Sequence, residues 1–187
     1  NKNIPDAQNA LVKQALQTDA EYLFFIEEDT VPPEGALFDL VATSTDIAFI
    51  DYGVNGWSCS ARVPSGEIYW CGFGCTLVKR YVFEKLQRPF FRTDQSLRLN
   101  DFTWIDAPMK YGGQDIWFCT KAREQGFTIT QVQGECQHLG VLTTGKPEDN
   151  SGTHWLIEKP KIEKQQILTV PDKVATVESI GKNPPGT

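Results

Sequence analysis

The chain has 187 residues, a formal net charge of -6 at pH 7 and 40% hydrophobic residues. This length and composition suffice for one folded domain with a buried core, which excludes intrinsic disorder as the default expectation. The net negative charge, with no block of Lys or Arg, excludes sequence-independent binding of nucleic acid.

The first third of the chain alternates helical and strand patterns. Apolar residues at helical spacing follow Asp6, a potential N-cap, and the apolar run Tyr22–Ile26 fits a buried strand. Two prolines, Pro32 and Pro33, are typical of a helix start. The predicted elements are a helix over 6–18, a strand over 22–26, a helix over 32–43 and a strand over 46–52.

The remaining two-thirds of the sequence are more irregular. Residues 53–70, rich in Gly, Ser and aromatics, predict a loop or short antiparallel strands. The further predictions are a strand over 72–78, a helix over 79–86, an extended excursion over 88–110, a helix over 112–127, a strand over 127–132 and a mobile loop over 143–153. Gly126 is the expected end of the fourth helix.

This order predicts an α/β domain whose mixed, mainly parallel sheet is flanked by helices. Residues 1–159 are expected to form that domain, and the charged, proline-bearing residues 160–187 a peripheral arm. No apolar run reaches the roughly 20 residues that span a bilayer, and the N-terminus lacks a signal-peptide pattern. Together with five irregularly spaced cysteines, which favour reduced thiols, this predicts a cytoplasmic protein.

Three carboxylates, Glu27, Glu28 and Asp29, stand at the end of the first strand. In an extended backbone Glu27 and Asp29 point to one side and Glu28 to the other. Adjacent like charges repel, and a hard cation such as Mg²⁺ or Mn²⁺ prefers oxygen ligands and also binds phosphate oxygens. The cluster predicts either a metal site formed by two carboxylates or a solvated acidic turn that caps the next helix.

Two further residues can carry chemistry. Asp115 follows two glycines at a predicted helix start, where the helix dipole favours its ionised form, and it is either a general base or a helix cap. His138 follows a predicted strand and is either a structural histidine or a metal ligand.

Taken in order, the segments AQNALVKQAL, YLFFIEEDTVPP, CGFGCTLVKRYVFEKLQRPFF, GGQDIWFCTKAREQGFTI and QHLG resemble the metal-dependent glycosyltransferases of the GT-A fold, near the family 2 type. The match runs from about Ala7 to Gly140 and corresponds to the later two-thirds of such a catalytic domain. The resemblance therefore implies a GT-A-like, Rossmann-like fold that lacks the N-terminal strands.

The resemblance also implies roles for particular residues. Glu27 and Asp29 occupy the place of the family's DxD motif, next to the cation and the nucleotide, and His138 matches a later metal-ligating histidine. Asp115 matches the base that deprotonates the acceptor hydroxyl in inverting enzymes. Gly72 and Gly74 fall in the segment that lines the donor-sugar pocket.

The implied activity is transfer of a sugar from a nucleotide-diphosphate donor to an acceptor hydroxyl, with Mn²⁺ or Mg²⁺ as cofactor. The acceptor is a glycan or another hydroxyl compound, and nucleic acid enters only as a modified-base acceptor. Two positions depart from the family: Glu27 replaces the usual first Asp, and Gln114 replaces the usual Glu before the base.

Two alternative functions remain open, a catalytically silent module that binds carbohydrate or protein, and a metal-dependent phosphohydrolase.

Overall fold

The computed structural model describes residues 4–54, 56–92, 103–104, 113–144, 153–158 and 162–169. The four helices of these ranges are α1 (Ile4–Ala15), α2 (Ala36–Ala42), α3 (Arg80–Lys85) and α4 (Gln114–Glu124). The first strands are β1 (Tyr22–Ile26), β2 (Thr30–Val31), β3 (Ile47–Val54), β4 (Trp57–Arg62) and β5 (Ile68–Cys71). The later ones are β6 (Cys75–Lys79), β7 (Thr103–Trp104), β8 (Ile129–Thr144), β9 (Thr153–Glu158) and β10 (Lys164–Thr169).

The strands form one mixed sheet with the central order β1-β6-β3-β4-β10-β7, and β8 pairs with β3, β2 and β9. Among the described residues, β3–β8 and β4–β10 are the parallel pairs, and the other pairings are antiparallel. The prediction of a GT-A-like, Rossmann-like domain with a mainly parallel sheet is therefore wrong.

The connections explain the difference. A parallel neighbour needs a crossover of a dozen or more residues, whereas a short turn makes the next strand antiparallel. Helix α2 does connect β1 to β3 in the same direction, but β6 runs between them in the opposite direction. Residues 53–70 contain β4 and β5, so of the two predictions for this segment the short antiparallel strands are confirmed.

Both faces of the sheet are covered. Strand β3 is buried almost throughout, and its alternate residues face two separate apolar clusters, as the period of a strand requires. Ile47 and Phe49 lie in the larger cluster, together with residues of α1 and α4, while Ala48 and Ile50 lie in the smaller one under α2. The segment that follows the predicted domain boundary at residue 159 contributes β10, which pairs with β4 and β7.

Two predicted segments lie largely outside the described residues. The loop over 143–153 is described only at its ends, where β8 and β9 stop and start. The excursion over 88–110 is described to residue 92 and at β7. Over the ranges that the structure describes, no helix has the length and apolar character to cross a membrane.

Replacement of Phe118 tests how much the larger apolar cluster contributes to stability. Its side chain is fully buried, and its ring centroid lies 5.1 Å from that of Phe73 and 5.2 Å from those of Phe83 and Phe91. We expect Phe118→Ala to lower the free energy of unfolding by about 3–5 kcal/mol in urea titrations, because it leaves a cavity in the aromatic packing. The control Phe38→Ala, at a position that is 80% exposed, should stay within about 0.5 kcal/mol. Equal losses in both variants would contradict this description of the core.

Candidate functional site

The acidic cluster lies in a turn. Strand β1 ends at Ile26, and the N–H of Thr30 donates to the carbonyl oxygen of Glu27 at 3.1 Å. Glu28 at the tip is exposed, while Glu27 and Asp29 are half-buried. The three carboxylates thus stand in a turn and not in the extended backbone from which the separation of Glu28 was predicted, and that separation stays a prediction.

Asp29 and His138 meet although 109 positions separate them. The short strand β2 pairs with β8 so that Thr30 lies opposite His138, and the N–H of Leu139 donates to the Asp29 carbonyl at 2.7 Å. This backbone pairing brings Asp29 Oδ2 to 3.1 Å from His138 Nε2.

The other ring nitrogen determines the tautomer. His138 Nδ1 lies 2.9 Å from the carbonyl oxygen of Gly53, which can only accept a hydrogen bond, so Nδ1 carries a proton. In the neutral ring, Nε2 then presents a lone pair to a carboxylate oxygen. That contact is favourable when a proton lies between the two groups or a cation binds both, and a backbone carbonyl on the far nitrogen is the usual arrangement behind a metal-ligating histidine.

Tyr52 connects this pair to Glu27. Its hydroxyl lies 3.3 Å from Glu27 Oε2, to which it donates, and its ring meets that of His138 edge-on at 5.2 Å between centroids. Burial, followed by the charges of Cys59 and Glu27, raises the pKa of Tyr52 well above its ordinary value, so the hydroxyl remains a donor. Tyr52 was not singled out in the sequence, where it is only the last residue of a predicted strand.

A buried polar network joins strand β3, which contains Tyr52, to strand β4. Asp51 Oδ2 accepts hydrogen bonds from Ser58 Oγ at 2.5 Å and Ser60 Oγ at 2.8 Å. Burial raises the pKa of Asp51, and the serine hydroxyls oppose this rise. The network links β3 to β4 directly next to Tyr52 and the Gly53 carbonyl.

Gly72 and Gly74 are buried against the same tyrosine. A Cβ atom on Gly72 would lie 2.5 Å from the Tyr52 hydroxyl and 2.6 Å from Cys59 Sγ. One on Gly74 would lie 2.6 Å from Tyr52 Cε1 and 2.9 Å from Thr30 Oγ1. The contacts of both glycines with Tyr52 leave no room for a side chain, and their predicted role at a donor sugar stays a prediction.

We therefore expect Gly74→Ala to destabilise the protein by about 1–3 kcal/mol in urea unfolding, because the added methyl group would overlap the buried Tyr52 ring. The double variant Gly74→Ala with Tyr52→Val should lose less than the sum of the two single variants, since the smaller side chain relieves the clash. Strict additivity would show that the two positions do not share this contact.

Asp115 lies in the first turn of α4, after Gly113 at φ +128°. Burial, followed by the negative charge of Glu27, raises the pKa of Asp115 to about 8, while hydrogen bonds with the Phe73 backbone and the Gln8 side chain oppose the rise. Its Oδ1 is buried and has no hydrogen-bond partner among the described residues. The expected ionisation of Asp115 by the helix dipole is thus outweighed by burial.

Asp29 and His138 provide some, but not all, of the ligands that a divalent cation needs. Asp29 and His138 supply an oxygen and a nitrogen within reach of one ion, and Tyr52 connects Glu27 to the His138 ring. Within the described ranges, no group of three His, Cys, Asp or Glu side chains is placed to hold a metal ion, so Glu27 does not form such a group with Asp29 and His138 in this arrangement. A cation here would need further oxygen ligands, as Mg²⁺ takes from substrate phosphates and water.

Comparison with known proteins shows similarity to a solved structure in fold alone. No family model matches the sequence, and no curated protein matches it significantly. The crystal structure of A197 from STIV superposes on this protein with a TM-score of 0.55 at 17% sequence identity, over 86% of this chain and 78% of that one.

Proposed function

We propose that this protein is a glycosyltransferase, which moves a sugar from a nucleotide-diphosphate donor to an acceptor hydroxyl. The observation that carries the proposal is the 3.1 Å contact between Asp29 Oδ2 and His138 Nε2, with His138 Nδ1 already bonded to the Gly53 carbonyl. The ordered motifs that resemble family 2 glycosyltransferases support the same chemistry.

In this proposal Asp29 and His138 hold Mn²⁺ or Mg²⁺, with Glu27 as a further ligand or a contact to the nucleotide. The bound cation would neutralise charge on the leaving diphosphate. Tyr52 orients Glu27 through its hydroxyl and supports the His138 ring, so that the side chains are positioned before a ligand arrives.

Asp115 is the proposed base. As a carboxylate it would accept the proton of the acceptor hydroxyl, which ligand binding would have to bring to it, because Oδ1 is buried and has no partner among the described residues. A carboxylate whose pKa is raised to about 8 is a stronger base than a solvated one, although it must first release its own proton. Attack opposite the leaving group would invert the anomeric centre.

All five cysteines are free thiols, four of them buried. Free thiols are typical of a reducing compartment, so a cytoplasmic location is part of the proposal.

The test is calorimetric titration with UDP and GDP, with and without Mn²⁺, followed by turnover of the matching nucleotide sugars with candidate acceptors. Manganese-dependent binding of one nucleotide and acceptor-dependent release of the diphosphate would support the proposal. Phosphate release without an acceptor would instead indicate a phosphohydrolase. Binding without turnover would indicate a silent binding module.

A further inference from the structure

Strand β1 is hydrogen-bonded on one side. The N–H of Glu27 donates to the Gly74 carbonyl at 3.3 Å, and the N–H of Arg80 donates to the Glu21 carbonyl at 2.8 Å. In an antiparallel pair the backbone groups of alternate residues face the same neighbour, so the odd-numbered positions from 21 to 27 face β6.

The even-numbered residues therefore direct their N–H and C=O groups to the other side. These residues are Tyr22, Phe24 and Ile26, and no strand of the described residues pairs with them. Within the part of the chain that the structure describes, they form an open sheet edge along the whole length of β1.

This edge has the character of an interior strand. Leu23 is buried, Phe25 packs on the larger apolar cluster, and Tyr22 and Phe24 pack on the smaller one, so both faces of β1 are apolar. Edge strands usually carry a charge, a proline or a bulge that blocks further pairing. The segment YLFFI contains no charge and no proline, and its register with β6 is continuous.

A groove of about 810 Å³ runs between β1 and α1 beside this edge. Helix α1 lines it with Ile4 and Leu11, which are 62% and 61% exposed, and with the small side chain of Ala7. Gln8 also lines the groove, and its buried Oε1 has no hydrogen-bond partner among the described residues. The groove thus combines a backbone edge with an uncovered apolar helix face.

Both ends of the edge are acidic. Exposed Asp19 and Glu21 precede β1, and Glu27, exposed Glu28 and Asp29 follow it. Antiparallel pairing of two copies centred on Phe24 would place Glu27 of one copy opposite Glu21 of the other. Like charges directly opposite destabilise a strand pair, so the charge pattern disfavours a second copy as the occupant.

We propose that the open edge of β1 binds an extended segment of another polypeptide, with apolar residues at its centre and Lys or Arg on both sides. Backbone hydrogen bonds to Tyr22, Phe24 and Ile26 would add a strand to the sheet, the common mode of peptide recognition by strand addition. The apolar side chains would enter the groove under α1, and the basic flanks would meet the acidic ends. The groove is also lined by Glu27 and Asp29, so a segment bound there would exclude the cation and nucleotide of the proposed function, but the open edge itself does not depend on that function.

The test uses a synthetic peptide, Val-Tyr-Val-Ile-Val between two pairs of lysines, titrated into the protein at low salt. Ile26→Pro removes one outward N–H at a residue that is 51% exposed, while Ile26→Ala removes the side chain and keeps the N–H. We expect Ile26→Pro to weaken binding about tenfold, the equivalent of one hydrogen bond, and Ile26→Ala to change it less than about threefold.

Wild-type protein with a backbone N-methylated peptide provides a second readout that does not depend on the folding of the Ile26→Pro variant. This peptide should also bind about tenfold more weakly, because it cannot donate to the edge. Equal affinity of the N-methylated and unmodified peptides would overturn the proposal.

The charge requirement is tested separately. The same apolar centre flanked by glutamates should not bind, and Glu21→Gln with Glu28→Gln should weaken binding of the lysine-flanked peptide and reduce its salt dependence. Equal binding of both peptides would overturn the choice of a basic partner. Sedimentation that shows a dimer of the protein, lost in Ile26→Pro, would identify a second copy as the occupant and overturn it as well.

Discussion

Alanine at Asp29 is expected to abolish manganese-dependent binding of UDP or GDP to this protein. Asp29 Oδ2 faces His138 Nε2 at 3.1 Å, and the neutral ring has only a lone pair to offer there. Without the carboxylate a cation loses its one charged ligand in this pair. Loss of such a ligand should weaken affinity by at least the ~10–100-fold known for residues that merely support a metal ligand.

The measurement is titration calorimetry of wild type and Asp29→Ala with Mn²⁺ alone and then with each nucleotide. Asp39→Ala is the matched control, because Asp39 is an exposed carboxylate on α2. The control should bind as wild type does. If Asp29→Ala retained full manganese-dependent binding, the cation would have to be held elsewhere, and the proposed site would be wrong.

Asparagine at Asp115 is expected to change the pH dependence of stability. Burial raises the pKa of Asp115 from its usual 3.8 to about 8 in the folded protein. Between these values the folded protein keeps a proton that the unfolded protein has released, so its stability falls as pH rises. One such proton corresponds to roughly 1.4 kcal/mol per pH unit, and the loss is complete once pH passes the folded pKa.

Urea unfolding from pH 4 to pH 9 checks this prediction. The free energy of unfolding of Asp115→Asn, relative to wild type, should rise with pH by several kcal/mol and level off above about pH 8, since the amide has no proton to release. Asp39→Asn, at an exposed position, should keep the wild-type slope. Parallel curves for wild type and Asp115→Asn would show that Asp115 is ionised in the folded protein.

The same variant tests catalysis. Asp115→Asn should leave manganese-dependent nucleotide binding intact and remove sugar transfer, because the amide cannot accept the acceptor proton. Transfer by the wild type should increase as pH approaches about 8, where more of Asp115 is ionised. Full transfer activity in Asp115→Asn would eliminate Asp115 as the base and leave the fate of the acceptor proton to another group.

Local patterns predicted the elements that do not depend on distant partners. Strand β1 has the predicted bounds, because a short apolar run stands between charged or turn-forming residues on both sides. Helix α4 lies within its predicted range and stops shortly before Gly126, which has φ +83°. The neighbours of each strand were not predictable in this way, and the antiparallel placement of β6 between β1 and β3 reversed the expected sheet.

In the candidate site, too, the residue types could be predicted from local sequence, but the contacts between them could not. Its chemical groups, Glu27, Asp29, Asp115 and His138, were all recognisable by residue type and local position. Tyr52 was missed, because its hydrogen bond to Glu27 joins residues 25 positions apart and no local pattern marks it. The pairing of Asp29 with His138 depends on β2 and β8, two strands that meet only in the folded sheet.

The sequence by itself thus determined the approximate positions of the helices and of β1, and the acids that follow β1, because these follow from periodicity and residue chemistry over a few positions. His138, which was predicted to follow a strand, lies inside β8. Only the tertiary structure decided the direction of the strands, the open edge of β1 and the contact between Asp29 and His138. It also decided that Asp115 keeps its proton to about pH 8. The physical reason is that strand pairing and burial depend on residues far apart in the sequence, and burial can outweigh a local preference such as that of a helix dipole for a charge.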